Sequence, residues 1–301
     1  EDANNIINHI VDHFCLLQVN NTLLRKRQIS NTFNLDVKLP ELSLNSNVLV
    51  TAISTALSCY MPSVQDSAIN AIKRINKRCQ LIYGQEFAFQ FSLLYDLMKQ
   101  FMHDCYKEKF YEKKAGILGI RTLIKETCIS PEVLKKLQPD LIAGFLFVLK
   151  DTPNGAPVSI TQGAEELLNE VLILTFEGIS ESDLELKGIQ HTLTDIVCEL
   201  GNPNERVREI CQSSLSTISE KTTIPIVKLM EKSKNFLLSP IFAKPLRALS
   251  FTMQIGNIDA VTYCLGLPDT FLEFNDELFR LLQEVIVLTD AEDESLSTIQ
   301  R

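Results

Sequence analysis

The sequence predicts an all-α solenoid of paired helices, and three observations lead to it. The first is an apolar stripe of helical spacing: Val64, Ala68, Ile72 and Ile75, with steps of 4, 4 and 3. The second is its recurrence at Glu112, Gly116, Ile120 and Leu123, at Ile160, Ala164, Leu168 and Val171, and at Val207, Cys211, Leu215 and Ile218. The stripes start at 64, 112, 160 and 207, so the intervals are 48, 48 and 47. The third is composition: 11 Gly and 11 Pro in 301 residues are few for an all-β chain, which spends both on many turns.

A fixed period of this size, with two helices per unit, marks HEAT/armadillo-like arrays. One such unit cannot bury its own apolar face, and stacked neighbours form a shared core. The second stripe position is small each time (Ala68, Gly116, Ala164, Cys211), which admits a close neighbouring helix. Ser63 with Asp66 and Ser159 with Gln162 read as capping boxes just ahead of their stripes. In the fourth unit Asn202-Pro203-Asn204-Glu205 offers an N-cap, a first-turn proline and an acid at N3.

The elements follow in order. Residues 1–47 read as an N-terminal helix, 3–24, and an irregular loop. Residues 48–221 hold about four HEAT-type repeats with a period of 47–48. Their first helices run over 48–60, over 86–106, from Pro131 with a bend or break near Pro139, and from the Ser180–Asp183 cap to about Glu199. Residues 222–301 read as less regular helices continuing the solenoid: 224–238, 246–255, a turn at Gly256-Asn257, 258–265, and 269–289 with Phe271, Leu278, Leu281, Leu282 and Val285 on one side. Phe271, Phe274 and Phe279 near the far end suggest a segment of a longer array, since free-standing solenoids carry polar terminal repeats.

Several functions are disfavoured. The net charge of -9, from 38 acidic and 29 basic residues, argues against direct nucleic-acid binding, which needs basic surface to release counterions. The eight cysteines include no C-x-x-C pair and read as free thiols packed as small hydrophobes in a reducing compartment. No secretory signal is visible, and the longest uncharged run, 42–65, is too polar for a bilayer core, so a soluble intracellular chain is expected. The opening Glu1-Asp2-Ala3 suggests an internal segment or a processed end. Phosphate-loop, kinase, nucleophile-elbow and H-E-x-x-H motifs are missing, so no enzyme activity and no cofactor are expected. His9 and His13 stand one turn apart with Asp12 and Cys15 near, but the glutamate of a zincin is missing and such a pair is common by chance, so no metal site is expected. The acids Asp290, Glu292, Asp293 and Glu294 lack the glycine and spacing of a calcium loop.

One candidate site remains. Lys73, Arg74, Lys77 and Arg78 lie on one second helix, with Lys113 and Lys114 (and Lys107 and Lys109) one repeat on. Adjacent repeats set equivalent positions side by side. These residues therefore predict a basic face: a plain solvated helix face is the default, and docking of an acidic protein segment or an inositol phosphate is the functional alternative.

The residues also carry a resemblance. Gly266-Leu267-Pro268-Asp269-Thr270-Phe271-Leu272-Glu273-Phe274-Asn275-Asp276-Glu277-Leu278, then Arg280-Leu281-Leu282-Gln283-Glu284-Val285, resembles the transformation/transcription domain-associated protein family. Glu112-Lys113-Lys114-Ala115-Gly116-Ile117 and Asn204-Glu205-Arg206-Val207-Arg208-Glu209-Ile210-Cys211 are similar to it as well. The resemblance implies a HEAT segment of a giant pseudokinase, a non-catalytic scaffold of nuclear histone acetyltransferase assemblies including SAGA. It implies protein partners: transcription activators, fellow subunits and the rest of the same long chain. It implies no membrane role and no active-site residue here. The competing readings are the HEAT region of an active phosphatidylinositol-3-kinase-related kinase and a nuclear-transport adaptor.

Overall fold

A computed structural model describes residues 5–17, 46–85, 87–89, 93–127, 129–153, 155–268 and 271–299, with 289–299 by backbone only. All regular structure among these residues is helical. The chain forms two compact units, 1–167 and 168–301, divided within one helix.

The first unit begins with α1, residues 5–17. Then come α2 (Asn47–Leu57), α3 (Pro62–Tyr83), α4 (Leu93–Asp104), α5 (Phe110–Glu126), α6 (Pro131–Asp151) and the start of α7 (Val158–Phe176). The stripes fall on the second helices as read. Ala68, Ile72, Ile75, Gly116, Ile120 and Leu123 are buried, and Val64 and Glu112 are half-buried. The small second position has a visible cause in α5. A methyl on Gly116 would lie 2.7 Å from the Phe101 carbonyl oxygen of α4, and one on Gly119 would lie 2.5 Å from the Phe101 ring. Polar bonds fix the other faces: Ser54 donates to Asp104 at 2.6 Å, joining α2 to α4, and Asn76 donates from α3 to the Glu126 carbonyl.

The helix starts depart from the reading. α3 starts at Pro62, whose ring presets helical φ at N1, so Ser63 lies inside the helix and caps nothing. Ser159 likewise lies inside α7. α4 is shorter than the expected 86–106: Gly84 adopts φ +80, residues 87–89 form turns, and Phe89 is buried edge-on against Tyr95. The helix then begins at Leu93. α6 continues through Pro139 without a break. The proline leaves the Lys135 carbonyl without its helical donor, and Lys135 lies on the exposed side.

The second unit holds the rest of α7, α8 (Lys187–Cys198), α9 (Glu205–Thr222), α10 (Ile226–Met230), α11 (Lys234–Ala243), α12 (Phe251–Gly266) and α13 (Asp276–Ile299). Leu168, Val171, Val207, Cys211, Leu215 and Ile218 are buried, completing the stripes. Ser180 and Asp183 do form a capping box, but for a 3-10 helix, Glu181–Glu185, that precedes α8. The α9 cap is Asn204, accepting from the Arg206 amide, rather than Asn202 two residues earlier. α9 ends at Thr223 in the left-handed region, φ 58, the one non-glycine residue with positive φ among those described.

Beyond α9 the sequence reading was least accurate. The helix expected over 224–238 divides into α10 and α11. The expected turn at Gly256-Asn257 is the middle of α12. A Cβ on Gly256 would lie 2.6 Å from the Gly201 carbonyl oxygen, so this glycine serves close packing rather than a turn. Phe271 is buried before α13 starts, with the Lys234 ammonium over its ring at 5.0 Å. Leu278 and Leu281 are buried, while Leu282 is partly exposed. Phe274 and Phe279 pack edge-on at 6.0 Å and remain exposed.

Candidate interaction face

The basic face is read on α3 and α5, and the structure sorts its six residues into four kinds. Lys73 and Arg78 are already paired: Lys73 with Glu126 of α5 at 2.9 Å, Arg78 with Asp12 of α1 at 3.0 Å. Arg74 is half-buried and Lys77 exposed, and neither has an ion pair among the described residues. Lys114 is half-buried and donates to the neutral amide oxygen of Gln65 at 3.4 Å.

Lys113 does not belong to the face. Its side chain is 0 % exposed, its ammonium donates to Asp151 at 2.6 Å, and it sits 4.6 Å from the Phe147 ring centre. Burying an ammonium demands this kind of compensation, a carboxylate on one side and an aromatic face on the other. Counting charges in the sequence placed Lys113 outside; the repeat period would have placed it inside. It stands one residue after the first stripe position, and the same register holds Gln65, Thr161 and Arg208. Gln65 donates to the carbonyls of Leu57 and Cys59. Arg208, 3 % exposed, donates to the carbonyls of Asn202 and Pro203 and pairs with Asp259. Thr161 donates to the carbonyl of Val158. In this register a donor holds carbonyls or acids near the start of each second helix, buried at Lys113 and Arg208 and half-buried at Gln65 and Thr161. It was the signal available and missed.

Near the face, α2 presents an open, mainly apolar groove of about 780 Å³ lined by Val48, Ala52, Thr55, Ala56, Cys59 and Val64 among others. Gln65, the partner of Lys114, follows Val64 directly. The Lys114 cation thus lies close to apolar surface through Gln65.

The other sequence candidates are dispersed. His9 and His13 are exposed on α1, and among the described residues no three His, Cys, Asp or Glu converge as a metal site requires. Cys128 and the acidic side chains of 290–294 lie outside the described residues. Among the described residues no helix is long and apolar enough to cross a membrane.

Comparison with known proteins decides the family. The sequence profile of the Tra1 HEAT repeat ring region matches residues 1–300. The chain belongs to this family. It is 58% identical over 298 residues to the SAGA complex/NuA4 acetyltransferase complex subunit TRA1 of Saccharomyces cerevisiae, covering 99% of this chain and 8% of that protein. The Schizosaccharomyces pombe protein of the same description is 36% identical over 82% of this chain and 6% of its own length. The Homo sapiens transformation/transcription domain-associated protein is 24% identical over 84% of this chain and 7% of its own. The chain thus spans less than a tenth of each of these relatives. The family match agrees with the resemblance read from residues 266–285, and the kinase and transport-adaptor alternatives are not favoured.

Proposed function

We propose that this chain is a non-catalytic scaffold segment within the HEAT region of a nuclear transcription coactivator subunit of histone acetyltransferase complexes. The identity of 58% along 99% of the chain to a SAGA/NuA4 subunit carries this reading. The fold supports it: paired helices whose inward positions are spent on packing and on buried donors leave outer faces for other proteins. On this reading its partners are proteins: activators, fellow subunits and other parts of the same polypeptide.

Within that role the docking face for an acidic segment contracts to Arg74, Lys77 and Lys114, with Lys73 and Arg78 contributing only by exchanging partners. Cations would steer such a segment and apolar surface would hold it. The test is Arg74→Glu with Lys77→Glu in the full-length protein, with co-purification of activators and subunits as the readout. Loss of one acidic partner, steeper at low salt, is expected. Unchanged recovery of every partner would reduce the face to solvated surface. Failure of the whole protein to co-purify with acetyltransferase subunits would overturn the scaffold reading itself.

A further inference from the structure

Cys15 of α1 and Cys79 of α3 are both 0 % exposed, and their sulfurs lie 3.7 Å apart although 64 residues separate them in the chain. Two further contacts hold the same helices in register at this point. Arg78, adjacent to Cys79, pairs with Asp12, one turn from Cys15. The Tyr83 hydroxyl donates to the Cys15 carbonyl at 3.1 Å. A disulfide needs its sulfurs about 2.05 Å apart, so the two sulfurs must approach further for the bond to close.

We propose that Cys15 and Cys79 form a reversible disulfide under peroxide, stapling α1 to α3. The buried thiols are poor nucleophiles while α1 is docked. The Cys15 thiol is held far above the ordinary range, first by its hydrogen bond with Cys79 and then by burial. Reaction therefore follows opening of α1. A thiolate exposed in the open state attacks one oxygen of hydrogen peroxide, forming a sulfenic acid as the O–O bond breaks and the first water leaves. When α1 returns, the second thiolate attacks that sulfur and its hydroxyl departs as the second water. Two thiols and one peroxide give one disulfide and two waters. Two equivalents of a small thiol, themselves oxidised to a disulfide, reverse it.

The staple closes a long loop and removes the open state of α1, so the modification is a record of α1 movement as well as a lock on it. The experiment exposes the full-length protein to hydrogen peroxide, alkylates remaining thiols and maps the digested peptides by mass spectrometry. The expected result is a peptide linking Cys15 to Cys79 that disappears with dithiothreitol. Amide exchange in α1 should slow by roughly tenfold or more on oxidation. Cys15→Ala and Cys79→Ala should each abolish the link without altering exchange in α5. Alkylation of both cysteines as single thiols, under conditions that oxidise the exposed Cys198, would overturn the proposal, as would pairing of Cys79 with any other cysteine.

Discussion

Lys113 in the first unit and Arg208 in the second occupy the same register of their repeats, and both are buried bases, yet they are held differently. Lys113 concentrates its charge on one carboxylate, Asp151, beneath the Phe147 ring. Arg208 spreads its charge over Asp259 and two backbone carbonyls that close the turn before α9. The difference follows from the side chains. An ammonium is a compact point charge, whereas the planar guanidinium presents a fork of donors that serves several acceptors at once. One repeat position thus fulfils two structural tasks: an inter-helix tie in α5 and α6, and a turn clamp before α9.

Removing each acid is the strongest test of that contrast. Asp151→Ala leaves the Lys113 ammonium buried with only an aromatic face, and should cost about 3 kcal/mol. Asp259→Ala leaves Arg208 bonded to two carbonyls and should cost about 1 kcal/mol. Hydrogen exchange reads both as lost amide protection, in α5 and α6 or in α9 and α12. Equal losses would show that the carbonyls contribute nothing to holding Arg208.

Close packing gives the next effect, and here the two units should agree. Gly116→Ala and Gly256→Ala each drive a methyl to within 3 Å of a backbone carbonyl, and each should cost about 2 kcal/mol. If the Gly256 variant is silent while the Gly116 variant unfolds α5, the irregular region adapts where the regular one does not.

Replacing the bases by methionine sharpens the comparison further. Lys113→Met exchanges one buried group for another of similar volume beside a half-exposed acid, and should stay within about 1 kcal/mol of the parent. Arg208→Met leaves the Asn202 and Pro203 carbonyls without their donor and should cost about 1.5 kcal/mol, seen as faster exchange at the start of α9. The reverse ranking would break the assignment of Arg208 as a turn clamp.

The smallest effect concerns pH. Burial raises the Asp104 carboxyl above its ordinary value, against opposing bonds from Ser54 and Gln100. The folded state then binds the proton more tightly than the unfolded state. Stability therefore falls as pH rises from the ordinary carboxylate range through the raised value. Asp104→Asn should flatten that fall in a urea-unfolding series from pH 4 to pH 7; an unchanged slope would assign it to other groups.

The four stripes were legible because a period of 47–48 survives any error in local signals, and their burial on α3, α5, α7 and α9 follows from it. Helix starts were less legible because Ser63 and Pro62 both signal an N-terminus, and the proline, with its preset φ, sets the start. Gly256-Asn257 shows a different limit. The dipeptide is as suitable for a turn as for a close approach, and only the Gly201 carbonyl, 55 positions away, decides between them. The basic face was half legible. Sequence placed cations on α3 correctly, but the acids that neutralise Lys73 and Arg78 come from α5 and α1, and no local pattern announces them.

Thr223 carries a consequence for engineering. It closes α9 where the regular period ends, with φ 58, a conformation in which a β-branched side chain is crowded by its own backbone. Its hydroxyl donates to the neighbouring Thr222 carbonyl. Most positions in a packed helical array are near a local optimum, so substitution there loses stability. This cap is the opposite case: asparagine tolerates the left-handed region without the branched Cβ, so the position holds unclaimed stability, and a library aimed at hardening the second unit should begin there.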